Sequence, residues 1–245
     1  MNDPRERDDI SRFLVHLTRN SGGETAENHL MAILRDGVIE ARNGWCLFHH
    51  KFRQKQFSDV LKRKFRTVCL TETPFTQLRH VAVDIPGRRI RLQPFGLVFL
   101  KSYLTDKGAS PAIYVNGKGA DGIRKYLLSR FDKDFGDGQR FDKFSDRVGK
   151  QANAIIQYYS LINVITDDHD FAWEREWRHS GDLEFNMGSI FAIIAKDPDG
   201  FIAHCEKELP ARRMKHIQRV PVVSLDWSTE TIIENLSRSL WDAGQ

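Results

Sequence analysis

Strand-like and helix-like segments follow one another along this chain without a regular alternation, and this order limits the folds that it can adopt. The stretch 13–19 (FLVHLTR) predicts a first strand, and 25–41 has apolar residues at helical spacing with Gly37 near its end. Further strands are predicted at 67–73, at the start of 95–104, and at 111–116, 172–180, 189–197 and 220–226, and further helices at 122–135, 146–165, 200–209 and 229–243. Because no βαβ unit repeats, the pattern favours an α+β fold over a doubly wound sheet.

No linker rich in Pro, Gly or Ser divides the 245 residues, a length that suits one large domain or two small ones. We therefore expect a single α+β domain over 1–245, with a mixed or antiparallel central sheet and flanking helices. Hydrophobic residues make up 40% and charged residues 29%, as is ordinary for a soluble globular protein.

The chain has no apolar run near the roughly 20 residues that span a bilayer, so no membrane association is expected. Its first ten residues, MNDPRERDDI, are charged and unlike a secretory signal. The three cysteines are an odd number and widely spaced, which favours a reducing cytoplasmic location.

The net charge of +4 is unevenly distributed along the chain. Basic residues concentrate in the segments 49–66, 86–93 and 210–219. Solvated helix faces account for such segments, and so does a nucleic-acid or other polyanionic partner. Both interpretations stay open on sequence alone.

Several familiar catalytic and binding motifs are missing. No glycine-rich dinucleotide fingerprint follows a strand, and the chain has neither a phosphate-binding loop nor a G-x-S-x-G nucleophile elbow. Cys46, His49, His50, Cys69 and His80 lack the paired C-x-x-C spacing of a zinc site, so no metal is predicted. A Cys–His nucleophile pair built on Cys46 or Cys69 is a weaker alternative, and CLFHHKF (46–52) is interpreted as a mixed surface segment.

The run EREWR, within 172–180, contains the most informative charge pattern. In a strand, successive side chains point to opposite faces, so Glu174, Glu176 and Arg178 are expected on one face, with Arg175 and Trp177 on the other. Two neighbouring carboxylates raise the pKa of at least one of them unless Arg178 neutralises the pair. A surface ladder of charge pairs is one interpretation, and a site for a cationic or polar ligand group is the other.

Five segments in order resemble a known family: VHLTR, LMAILRDGVIEA, TVCLTETPFTQLRH, PFGLVFLKSYLTDKGASPAIYVN and FAWEREWR. Over about residues 13–180 they are similar to the AbiGi family of abortive phage-resistance proteins and its broader bacterial relatives. Leu70 stands where an aromatic residue is common in that family, and Phe95 replaces a tyrosine. The family carries an antitoxin label, so the resemblance also implies a cognate toxin or antitoxin partner.

In their order and residue types, these segments also resemble the diphtheria-toxin-like branch of the ADP-ribosyltransferase fold. That resemblance implies NAD as substrate, with Glu176 stabilising the positive charge that develops on the ribose and Glu174 orienting an acceptor or acting as general base. Arg178 would contact the ligand or fix the two glutamates.

The remaining implied roles fall earlier in the chain. His16 and Thr18 would hydrogen-bond the ribose, and Arg19 would meet a phosphate. Tyr103, or Tyr114 in its place, would stack on the cofactor. The loop NSGGE (20–24) lies where a nucleotide-covering loop would begin, and the second block of the family adds Glu72 and His80 as further candidates.

Three functions are therefore carried forward. The leading hypothesis is an NAD-cleaving, ADP-ribosyltransferase-like enzyme of phage defence or a toxin, with a protein or nucleic-acid target. The second is a non-enzymatic antitoxin or partner-binding protein, in which Glu174, Glu176 and Arg178 form a structural ion network. The third is a metal-dependent nuclease that uses Glu72, Glu174 and Glu176.

Overall fold

A computed structural model describes residues 9–55, 57–85, 90–116, 121–135, 146–165 and 172–242. Over these residues the fold is mixed α/β, with both parallel and antiparallel strand pairing. The described strands are β1 Phe13–Arg19, β2 Val38–Ile39, β3 Thr67–Thr71, β4 Leu92–Leu100, β5 Ser110–Pro111, β6 Ile113–Asn116, β7 Ile162–Ile165, β8 Glu176–Ser180, β9 Leu183–Glu184, β10 Ile190–Ile194 and β11 Val222–Val223.

The described α-helices are α1 Ala26–Asp36, α2 His49–Gln54, α3 Asp59–Lys64, α4 Lys101–Asp106, α5 Asp121–Phe135, α6 Asp146–Leu161, α7 Pro198–Glu208, α8 Ala211–Ile217 and α9 Thr229–Asp242. Short 3-10 helices cover Phe75–His80, Ala172–Glu174 and Met187–Ser189. None of these helices has the length and apolar character that a bilayer crossing requires, as far as the described residues go.

The chain divides into two compact units, each built from separate segments of sequence. Unit 1 comprises Met1–Val38, Leu70–Lys107 and Glu184–Gln245, and unit 2 comprises Ile39–Cys69 and Gly108–Leu183. The expectation of one domain over 1–245 stays a prediction.

Unit 1 contains a mixed sheet with the strand order β11-β10-β4-β1-β3, of which β3 contributes its last two residues. β1 pairs antiparallel with both β3 and β4, and β10 pairs antiparallel with β4 and parallel with β11. Helices α1 and α4 pack against β1 and β4, and α7 and α9 pack against β11. The expected mixed sheet with flanking helices is therefore present.

Local signals explain the first two elements of unit 1. Helix α1 begins after Thr25, whose hydroxyl accepts a hydrogen bond from the Asn28 N–H, and it ends at Gly37, whose φ of 73° favours glycine. Strand β4 approaches β1 closely at Gly96, because a Cβ there would collide with the His16 carbonyl oxygen.

Unit 2 is mainly helical, with two short stretches of sheet. β8 pairs antiparallel with β5, and β6 pairs in parallel with β7. Its core is a cluster of buried aromatic rings that α2, α3, α5 and α6 contribute together with their flanking residues: Phe48, Phe52, Phe57, Phe65, Phe131, Phe135 and Tyr159.

Two sequence predictions are corrected in unit 2. The segment 146–165 is not one helix, because α6 ends at Leu161 and Ile162–Ile165 form β7. Ile162, Val164 and Ile165 are β-branched, and such residues fit a strand better than a helix. The segment 46–52 is not a surface segment, since Cys46, Leu47, Phe48 and Phe52 are buried.

Candidate functional site

Strand β8 of unit 2 holds a buried ion pair between Glu176 and Arg178. Because the two residues are two positions apart in a strand, their side chains leave the same face. Nε of Arg178 donates to Oε1 of Glu176 over 3.0 Å, and Nη2 donates to Oε2 over 3.1 Å. The Arg178 side chain is 2% exposed and the Glu176 side chain 12%, so this is a bidentate ion pair that is largely shielded from water.

The remaining guanidinium nitrogen of Arg178 fixes two more segments of unit 2. Nη1 donates to the carbonyl oxygens of Trp45 and Ser160 over 3.1 and 2.7 Å. Trp45 precedes α2, and Ser160 lies at the end of α6. Arg178 therefore joins β8 to two elements that are distant in sequence, and this is a structural role of the kind that the sequence left open.

Tyr114 of β6 completes the hydrogen bonding of Glu176. Its hydroxyl donates to Oε2 over 2.6 Å. Burial raises the pKa of the Glu176 carboxyl, but the charge and hydrogen bonds of Arg178 outweigh burial, and the pKa lies below its ordinary value. Glu176 is therefore ionised at neutral pH, and Arg178 neutralises it.

Cys69 and Asn43 extend this network. The side-chain amide of Asn43 donates to Sγ of Cys69 over 2.9 Å. Burial, and next the charge of Glu176, raises the pKa of the Cys69 thiol to about 12, and burial raises that of Cys46 to about 11. Both thiols are protonated at neutral pH, which argues against the nucleophile pair considered from the sequence.

Glu174 does not lie on the strand with Glu176, so the prediction of one strand over 172–180 is wrong. Residues Ala172–Glu174 form a 3-10 helix that is followed by Arg175, whose φ is 49°. Arg175 is the one non-glycine residue with a positive φ in the described part of the chain, and its N–H donates to the Ala172 carbonyl oxygen over 3.1 Å. This turn breaks the side-chain alternation just before β8.

Glu174 nevertheless lies near the network of Glu176. It is half-buried, and its charge is one of those that raise the pKa of the Tyr114 hydroxyl, after burial and Glu176. The structure therefore brings together three of the residues predicted from sequence, namely Glu174, Glu176 and Arg178.

Thr18 on β1 of unit 1 is buried, and its hydroxyl lies within hydrogen-bond distance of two carbonyl oxygens, those of Ala26 at 2.8 Å and Phe95 at 3.1 Å. These contacts hold α1 and β4 to β1, so Thr18 has a structural role. His16 and Arg19 are half-buried on the same strand.

Glu72, Tyr103 and His80 also belong to unit 1. Glu72 is buried and forms an ion pair with Lys101. The Tyr103 hydroxyl accepts a hydrogen bond from the Asn186 N–H over 3.3 Å, and His80 is exposed at the end of a 3-10 helix. The cofactor-binding roles predicted for the unit 1 residues stay predictions.

The loop predicted to cover a nucleotide is a tight turn in unit 1. Ser21 and Glu24 exchange two backbone hydrogen bonds of 3.0 Å, and Gly22 and Gly23 both have positive φ. Glu24 lines a surface pocket of about 500 Å³ together with Asn28, His29, Arg35, His204 and other residues. None of the nine site residues predicted from sequence lines this pocket.

Within the ranges described, no group of three or more His, Cys, Asp or Glu side chains is arranged to hold a metal ion.

Tyr114, Cys69, Asn43 and the carbonyl oxygens of Trp45 and Ser160 are parts of the site that sequence reasoning did not assign. Tyr114 was considered only as a stacking aromatic. Its partner Glu176 lies 62 positions away, and no local pattern links the two.

Comparisons with protein-family models, with curated proteins and with solved structures give no match. The resemblance to the AbiGi family therefore stays a prediction.

Proposed function

We propose that this chain is an ADP-ribosyltransferase-like enzyme of phage defence that cleaves NAD, with Glu174 and Glu176 as its catalytic carboxylates. The observation that carries the proposal is the environment of Glu176. Arg178 and Tyr114 hold its carboxylate ionised at the start of β8. Glu174 precedes it across Arg175, the one non-glycine residue with a positive φ in the described part of the chain.

The proposed reaction breaks the bond between nicotinamide and C1′ of the ribose. Nicotinamide leaves with the bonding electron pair, and positive charge develops on the ribose, as in glycoside cleavage. An oxygen or nitrogen of the acceptor then bonds to C1′ and gives up a proton. A carboxylate that is already ionised and oriented stabilises the positive charge without reorganising during the reaction.

The surroundings of the two glutamates favour different roles for them. Glu176 accepts hydrogen bonds from Arg178 and Tyr114, so it fits the role of a fixed negative charge. Glu174 is half-buried at the end of a short turn, and it fits the role of the base that takes the acceptor proton. Left-handed backbone at a non-glycine residue is strained, and such strain is concentrated at functional sites.

The test is a thermal-shift titration of NAD with nicotinamide assayed in the same tubes. Wild type is expected to be stabilised by NAD and to release nicotinamide. Glu174→Gln is expected to release little nicotinamide while keeping its melting temperature without ligand. Glu184→Gln removes the same charge from an exposed position of β9 and serves as the control with unchanged release. If wild type shows neither stabilisation nor release, the proposal is wrong.

A partner-binding protein is the second candidate, and the bonding of Arg178 favours it. The guanidinium already donates four hydrogen bonds to oxygen atoms of the protein, which gives the ion pair a structural role without any ligand. If NAD has no effect, a pull-down with a tagged full chain tests this candidate. A protein captured by wild type and by Glu174→Gln alike would support it.

A further inference from the structure

The segment 49–66 of unit 2 is the longest of the three basic segments of the chain. It contains seven Lys and Arg residues and one Asp, whereas the whole chain has a net charge of only +4. Helices α2 and α3 both lie within it. The segment contributes +6 to the net charge and the remaining residues −2, although they include the basic segments 86–93 and 210–219.

Acidic side chains neutralise only part of this charge. Asp132 pairs with Lys51 and Lys55 over 2.8 and 3.2 Å, and Asp59 pairs with Lys62 over 3.2 Å. Four further cations of the segment are exposed and have no ion-pair partner among the described residues: Arg53, Arg63, Lys64 and Arg66.

The aromatic core of unit 2 explains why these cations face solvent. Phe52 of α2 and Leu61 of α3 are buried. Phe52 and Phe65 both pack on Phe131 of α5, with ring centroids 6.2 and 6.1 Å apart. With Phe52 and Leu61 turned to this core, the exposed cations Arg53, Arg63 and Lys64 lie on the outer positions of the two helices.

Helix α5 adds positive charge beside α2. Arg124 is exposed, and together with Lys51 and His49 it lowers the pKa of His50, after the larger effect of burial. The ion pair of 2.8 Å between Lys51 of α2 and Asp132 of α5 shows that these two helices are adjacent.

Trp45, which precedes α2, adds an exposed aromatic ring to these cations. The Trp45 side chain is 49% exposed, and its ring contacts that of His49, with centroids 4.5 Å apart. The Trp45 carbonyl oxygen accepts a hydrogen bond from the buried Arg178, so the backbone that carries the ring is fixed. A half-exposed indole together with exposed cations is the combination that sequence-tolerant binding of single strands uses.

We propose that unit 2 binds single-stranded nucleic acid on a basic surface formed by Trp45, Arg53, Arg63, Lys64, Arg66 and Arg124. The cations contact successive phosphates, and Trp45 stacks on a base. Contacts with phosphates explain why so many cations are exposed here, and stacking on a planar base explains why the indole is exposed. The binding needs no NAD, so it is independent of the proposed reaction.

The experiment measures binding of a labelled oligothymidylate to the full chain by fluorescence anisotropy, at about 50 to 200 mM salt. We expect Arg63→Gln/Lys64→Gln to weaken binding and to reduce the salt slope by about 1.4, since each single-strand phosphate contact contributes about 0.7. Arg212→Gln/Lys215→Gln removes the same two charges from exposed positions of α8 in unit 1, and it should bind as wild type does.

Trp45 is tested separately, because its effect is not electrostatic. Trp45→Ala is expected to weaken binding about tenfold with the salt slope unchanged, and Trp45→Phe to keep most of the affinity. Circular dichroism and melting temperature verify that each variant is folded.

Four results would overturn the proposal. They are no binding at low salt, equal losses for the α3 and α8 double variants, no effect of Trp45→Ala, and equally tight binding of polyglutamate or anionic vesicles. The last result would identify an acidic protein or a membrane surface as the partner. Failure of the NAD titration would leave all of these measurements unaffected.

Discussion

The two units of this protein stabilise their interiors with different chemistry. The core of unit 1 is largely aliphatic and follows its sheet, with Val15, Leu17, Val98, Ile194 and Val223 among its members. The core of unit 2 is a cluster of aromatic rings beside a buried ion pair. An aliphatic sheet core is recognisable in the sequence strand by strand, whereas an aromatic cluster depends on segments that meet only in the folded chain.

The largest expected effect concerns the centre of the aromatic cluster. Phe131 is fully buried, and its ring contacts those of Phe48, Phe135 and Tyr159 at centroid distances of 4.7, 4.6 and 5.1 Å. Phe131→Ala is expected to lower the free energy of unfolding by about 3–5 kcal/mol, as measured by urea denaturation. Tyr126→Ala, on the same helix but 65% exposed, should change it by less than about 0.5 kcal/mol. Similar losses in both variants would refute the cluster as the source of stability.

The buried ion pair comes next. Glu176→Gln leaves the Arg178 charge buried without its counter-ion, which costs about 3 kcal/mol of unfolding free energy. The exposed Glu184→Gln is the control and should be near neutral. Glu176→Gln with Arg178→Met removes both charges, and it is expected to recover part of the loss. A single variant as stable as wild type would mean that the pair contributes no stability.

The stability of unit 1 is expected to depend on the absence of a side chain at Gly96. Because a Cβ at this position would collide with the His16 carbonyl oxygen, Gly96→Ala must push β1 and β4 apart. We expect a loss of about 2 kcal/mol by urea denaturation. Gly188→Ala, where the atom nearest to the added Cβ is the side-chain oxygen of Asn186 at 3.6 Å, provides the matched control. Equal stability of the two variants would show that the strand pair adapts without cost.

The differences between the units also explain which predictions from sequence succeeded. Strand β1 was predicted with its observed bounds, and helix α1 lies within the segment 25–41 that was predicted to be helical, because both signals are local: an apolar run, apolar residues at helical spacing and a glycine near the end. The helix ends earlier than this segment, at Asp36, and Val38–Ile39 form β2. In unit 2, the basic residues of 49–66 obscured two helices that bury Phe52 and Leu61.

The candidate site was predictable only in part. The position of Glu176 and Arg178 on one face follows from strand alternation and was expected from the sequence, whereas their pairing was one of two alternatives for Arg178. Arg175 has a positive φ, and this turn moves Glu174 off that strand. Glycine or asparagine usually signals such a conformation in a sequence, and position 175 has neither. Tyr114, Trp45 and Ser160 reach the pair from distant segments, and such contacts have no local signature.

The smallest expected effect is a dependence of stability on pH that the ion pair adds to unit 2. The pKa of Glu176 lies below its ordinary value in the folded chain, so the folded state binds this proton less readily than the unfolded state. The stabilisation is therefore complete above the unfolded value, about 4.3, and is lost as pH falls through the lower, folded value. Urea denaturation of wild type between neutral and acidic pH should show this loss, and Glu176→Gln should show a shallower one. Glu184→Gln should follow wild type, since an exposed carboxylate gains little from folding. If Glu176→Gln and wild type lose stability in parallel, the acid sensitivity arises from other carboxylates. The ion pair would then be a buried feature of unit 2 that does not make its stability depend on pH.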